Sequence, residues 1–326
     1  MSARLDAAVD ELVARCLGEP DRYGLHLALV LVQGGCVVRE VYGPTAGPDT
    51  ALVSWSMAKS VTHAAAGLCV RDGLLCLDDP VRVPEWADDA RSAITLDQLL
   101  AMSDGLAWRE DYVDAGRSDV IEMLFGSGHA DVASFAAWMP LAHAPGTVWN
   151  YSSGTTNVVA RLVGDAVAGA AATASAREAA MRRFLSDELF GPLGMTSADP
   201  RFDTAGTFIG SSFLYANARD FARFGELYLH DGVADGRRLL PAGWSAHART
   251  PPPAPVPADE DFGYGRHWWL WDRMGMPGAF GAHGYEGQYT VVAPDRDLVV
   301  VRLGKTTAEQ RPALLPLLTA VVDAAA

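Results

Sequence analysis

The chain has 326 residues (34.7 kDa), a formal net charge of −14 and a pI near 4.9, with 49% hydrophobic and 20% charged residues. The acidity argues against a nucleic-acid or anionic-membrane partner, and the apolar content supports a large core in one domain or two intertwined ones. The four cysteines (Cys16, Cys36, Cys69, Cys76) lack CxxC spacing, so no metal site is expected, and no apolar leader or run of about 18 apolar residues is seen, so the expected location is cytoplasmic.

Residues 5–17 carry a helical stripe of Leu5, Ala8, Val9, Leu12 and Val13. Between Leu25 and Val41 two β-branched runs flank Gly34-Gly35, the pattern of a hairpin. A helix is predicted over 56–72, buried through Met57, Val61, Ala64, Ala65 and Leu68 and stopped by Gly73. The stretch 95–145 is irregular and aromatic, with Trp108, Tyr112, Phe125, Phe135 and Trp138. Helices are predicted over 157–167, 176–189 and 218–230, and the proline-rich stretch 250–261 reads as a surface loop. Runs at 289–293 and 298–303, joined by Pro294-Asp295-Arg296-Asp297, form a second hairpin, and 310–325 is a closing helix. Hairpins at both ends with helices between them predict an α+β fold, an α/β sandwich. Its antiparallel sheet is built from about 1–55 and 262–326, a largely helical lobe of about 56–261 is inserted, and the site lies between them in one domain, 1–326.

Only two lysines occur, Lys59 and Lys305, against 24 arginines. Arginine supplies a fixed charge but does not give up its proton, whereas lysine can act as a base. Lys59 follows Ser56 by three residues, on one helix face with a rise of about 4.5 Å. Ser56 would sit at a helix N-terminus, where its N–H could form half of an oxyanion hole, and burial would lower the pKa of Lys59. The plain alternative is a capping serine and a solvated lysine. His63 lies about 10 Å along the axis from Ser56 and reads as a core histidine. Two further blocks are weaker alone. Pro145-Gly146 leads to Tyr151 and Ser153, where a phenol near an ammonium can ionise more easily; His283-Gly284-Tyr285 precedes the second hairpin. No HExxH, GxSxG or GxGxxG is present, and Gly304-Lys305-Thr306 lacks the first glycine of a P-loop.

The three blocks in this order resemble the serine β-lactamase and penicillin-binding-protein superfamily, most of all its class C-like esterases and the 6-aminohexanoate-dimer hydrolase type of amidase. Leu77-Asp78-Asp79-Pro80-Val81 and Phe190-Gly191-Pro192-Leu193-Gly194-Met195 are similar to that branch as well. The resemblance implies Ser56 as acylated nucleophile, Lys59 as its base and Tyr151 as proton shuttle. It implies an oxyanion hole from the N–H groups of Ser56 and Tyr285, and substrate contacts from Tyr112, Ser153, His283 and Gly284. It implies no cofactor and a small-molecule ester or amide substrate, in a monomer or homodimer. His283 stands where β-lactamases and peptidases carry lysine, and Ser153 where many relatives carry asparagine, which turns the expectation from penicillin chemistry toward esters or small amides. A D,D-peptidase or β-lactamase and a catalytically silent binding homologue are the alternatives.

Overall fold

The computed structural model describes residues 2–112 and 118–325. Seven antiparallel strands form the main sheet: β1 (Leu25–Gln33), β2 (Cys36–Tyr42), β3 (Gly263–Tyr264), β4 (Trp269–Leu270), β5 (Phe280–Gly284), β6 (Gln288–Ala293) and β7 (Leu298–Lys305). Their order is β2-β1-β7-β6-β5-β4-β3, so strands from the two ends of the chain meet where β1 pairs with β7, with Val30 opposite Val301. Both predicted hairpins are present. The strands β3 and β4 are only two residues long each, too short for an alternation to show.

Both faces of the sheet are covered, which explains why β1 and β7 read as continuous apolar runs. Successive side chains point to opposite faces. Ala28, Val30 and Val32 of β1 join Val299 and Val301 in the core beneath the inserted helices, while Leu29 and Leu31 join Val300 on the other face. That other face is closed by the first and last helices, α1 (Ala3–Gly18), whose N-cap Ser2 accepts from the Leu5 N–H, and the C-terminal helix Arg311–Ala324. Leu5, Val9 and Leu12 are buried there, as the stripe required.

The helix after α1 that matters most is α2 (Met57–Arg71), in which every residue from Met57 to Cys69 is buried. A helix buried all round lies in the middle of a core, and its polar side chains, Lys59, Ser60, Thr62 and His63, find hydrogen-bond partners there. It packs against α3 (Ser153–Ala168) and the sheet. At Gly67 an added Cβ would fall 2.5 Å from the Trp244 ring, so glycine is what lets that ring lie on the helix. The helix α3 begins four residues earlier than the apolar periodicity suggests, because Ser152 caps it by accepting from the Thr155 N–H. Short helices at Asp119–Phe125 and Val132–Ala137 occupy the aromatic stretch. No helix among the described residues is long and apolar enough to cross a membrane.

Candidate active site

Ser56 stands on a tight turn between a short strand at Leu52–Val53 and α2. Trp55 just before it has φ 45°, a left-handed backbone that a bulky residue adopts only under constraint. Ser56 makes no capping hydrogen bond with its side chain, which leaves the hydroxyl available. Lys59, one turn on, is 1% exposed. Its Nζ lies 2.9 Å from Ser56 Oγ, 2.9 Å from Ser153 Oγ and 3.0 Å from the Ser211 carbonyl oxygen. A capping serine beside a solvated lysine would look different on both counts.

Burial lowers the Lys59 pKa from 10.5 to about 8, against the opposing charge of Glu110. The Tyr151 ring lies over the ammonium, 4.9 Å from Nζ to centroid. Here the electrostatics differ from the sequence expectation. Burial pushes the phenol well above its ordinary value, reinforced by Glu110 and opposed by Ser56 and Trp269. Desolvation of a phenolate outweighs a nearby ammonium, so Tyr151 stays neutral.

Glu110 escaped the sequence reading. Its carboxylate accepts from Trp108 Nε1 (2.5 Å), Ser153 N (2.8 Å), Tyr112 OH (2.8 Å) and Ser153 Oγ. The signal was the period-two spacing of Trp108, Glu110 and Tyr112, which puts alternate side chains of an extended segment on one side. The Ser211 carbonyl was also missed, and a backbone acceptor in an irregular loop leaves no mark in a sequence.

Tyr112 stacks on Tyr285 at 4.9 Å, and Tyr285 meets Trp55 edge-on at 5.8 Å. With Ile121, Leu124, Phe125 and Ser212 these rings line a pocket of about 110 Å³ that opens onto Ser56. Tyr285 occupies the β5–β6 turn, held by Arg302, whose guanidinium donates to the Gly287 carbonyl at 2.8 Å. Gly284 acts through its lack of a side chain: a Cβ there would fall 2.2 Å from the Ser54 carbonyl, so glycine lets β5 close against the turn that carries Ser56.

His283 is placed elsewhere. Its register opposite Tyr289 turns the ring to the far face of the sheet. There it accepts from Trp271 Nε1 at 2.9 Å and stacks on Trp269 at 5.6 Å. Burial pushes its pKa well down, so the ring is uncharged. The structure thus brings Ser56, Lys59, Tyr151, Ser153, Tyr112 and Tyr285 together and leaves the His283 ring outside the pocket lining. His63 is buried, bonded to Tyr228 at 2.7 Å and His247 at 3.1 Å, and takes no part. Among the described residues no group of three or more His, Cys, Asp or Glu is placed to hold a metal ion.

The chain is 26% identical over 294 residues to the 6-aminohexanoate-dimer hydrolase of Paenarthrobacter ureafaciens, covering 85% of this chain and 71% of that protein. In fold it is similar to a family VIII carboxylesterase, with TM-score 0.73, 14% identity and coverage of 99% of this chain and 98% of the other. It is also similar to a penicillin-binding-protein homologue from Caulobacter crescentus, with TM-score 0.70, 18% identity and coverage of 99% and 98%. These two likenesses speak for the fold alone. The beta-lactamase family model matches residues 5–323, nearly the whole length, and the chain belongs to that family.

Proposed function

We propose that this protein is a serine hydrolase that cleaves small uncharged esters or amides through an acyl-enzyme. Ser56 is the nucleophile, Lys59 takes its proton, and the neutral Tyr151 passes a proton to the leaving group and then steadies the incoming water. The N–H groups of Ser56 and Tyr285 receive the oxyanion. The observation that carries this reading is the buried Lys59 amine 2.9 Å from an uncapped Ser56 hydroxyl. The amidase relative supports the reaction class.

The pocket supports the substrate class. Among the described residues its side chains are aromatic, aliphatic and hydroxyl groups, with no basic group to take a carboxylate. At about 110 Å³ it is smaller than a cavity of about 150 Å³, which takes benzene, so it suits an acyl chain of about four carbons. The neutral, displaced His283 weighs against penicillins and peptide C-termini. Hydrolysis of p-nitrophenyl butyrate tests the proposal: wild type is expected to turn over and Ser56→Ala to lose at least 1,000-fold in kcat/KM, about 4 kcal/mol. Equal rates for the two proteins would end it.

A further inference from the structure

Resting on this reading of Ser56 and Lys59, we propose that Glu110 is a positioning residue that acts through Ser153 to aim the lone pair of the Lys59 amine at Ser56. The reasoning counts hydrogens. Lys59 Nζ has Ser56 Oγ, Ser153 Oγ and the Ser211 carbonyl within 3.0 Å. An ammonium gives one N–H to each, but a neutral amine has two N–H groups and one lone pair. The Ser211 carbonyl only accepts, so it takes the first N–H. Ser153 has one hydroxyl hydrogen, which it donates to Glu110 Oε1. Its oxygen therefore faces Lys59 as an acceptor and takes the second. The lone pair is left for the Ser56 O–H. On attack the Ser56 proton crosses to Nζ, Oγ bonds to the acyl carbon, and the carbonyl π electrons move onto oxygen. Lys59 becomes the three-donor ammonium, and Glu110 gains no proton but faces the new charge.

The orientation of Glu110 is itself fixed. Oε2 accepts from Trp108 Nε1 and Ser153 N, two donors that do not rotate. Oε1 accepts from the Ser153 and Tyr112 hydroxyls, which do. Glu110→Gln has one good placement: its oxygen toward the fixed N–H groups and its NH₂ toward the hydroxyls. The amide then donates to Ser153 Oγ, whose hydrogen swings onto the Lys59 lone pair and competes with Ser56.

The test measures the rate of acylation by a fluorophosphonate and its pH dependence. Wild type, Glu110→Gln, Ser153→Ala and the double variant are compared, with thermal melts as folding controls. Glu110→Gln is expected to slow acylation at least 30-fold and to move the acid limb to lower pH, because the ammonium loses its facing anion. Ser153→Ala removes the acceptor that aims the amine but puts no hydrogen on its lone pair, so it is expected to slow acylation, though less than Glu110→Gln does. In the double variant the misdirected hydrogen is gone, so acylation recovers at least threefold over Glu110→Gln. A Glu110→Gln rate within threefold of wild type would overturn the proposal, as would a double variant no faster than Glu110→Gln, since that marks Glu110 as only a cap for α3. If Glu110→Gln does not fold, Ser153→Ala decides, and a rate equal to that of wild type refutes the role. Failure of wild type to label would count against the hydrolase reading instead.

Discussion

Raising the pH from 7 to 9 perturbs Lys59 more selectively than any substitution. Burial brings its pKa down to about 8, so the neutral amine makes up about one tenth of the protein at pH 7 and about nine tenths at pH 9. If the amine is the base, kcat/KM rises about tenfold over this range, with a midpoint near 8. The other titratable groups facing Lys59 are Glu110, Tyr151 and His267. Tyr151 is pushed far above the window by burial, and His267 is pushed by burial down to about 3. Neither changes charge between pH 7 and 9. The assay is initial-rate hydrolysis of p-nitrophenyl butyrate from pH 6 to 10 at constant ionic strength, with the Ser56→Ala rate subtracted at each pH. A flat profile, or a midpoint at 6 or below, would refute the assignment of Lys59 as the base.

The same burial makes Lys59 costly to the fold. Below about 8 the folded protein must charge it against burial, and the penalty fades as the pH rises toward the unfolded value of 10.5. Relative to wild type, the variant Lys59→Met should therefore gain up to about 3 kcal/mol as the pH falls from 10.5 to 8 in urea titrations; a difference that does not move with pH would contradict this. Leu124→Ala enlarges the pocket beside Ser56, so a p-nitrophenyl ester series should show the preferred acyl chain lengthening by about two carbons; an unchanged optimum would mean the acyl group lies elsewhere. Gly67→Ala drives a methyl group into the Trp244 ring at 2.5 Å and should cost about 1–3 kcal/mol despite the better helix propensity of alanine; a rise in melting temperature would overturn that packing argument.

The legible parts of the chain were those with a strong local period. The β1–β2 and β6–β7 hairpins, the stripe of α1 and the helix bearing Ser56 and Lys59 follow from alternation, turn residues and 3.6-residue spacing. The scarcity of lysine pointed at Lys59 because lysine, unlike arginine, can give up its proton. The misses share a different cause. Glu110 lies in an irregular stretch where only its spacing from Trp108 and Tyr112 hinted at a shared side. The far-face placement of His283 depends on strand register, and one residue of register flips every side chain. The neutral Tyr151 is a balance of burial against neighbouring charge, which appears only when the packing is known.

The central claim is that Ser56 is an activated nucleophile, and intact-mass spectrometry after fluorophosphonate treatment tests it most directly. Wild type should gain one phosphonyl adduct, Ser56→Ala none, and Lys59→Met one only at a rate at least 100-fold lower. A parallel incubation with penicillin G should leave no lasting adduct. Labelling that persists in Ser56→Ala, or folded wild-type protein that takes no label at all, would contradict the account.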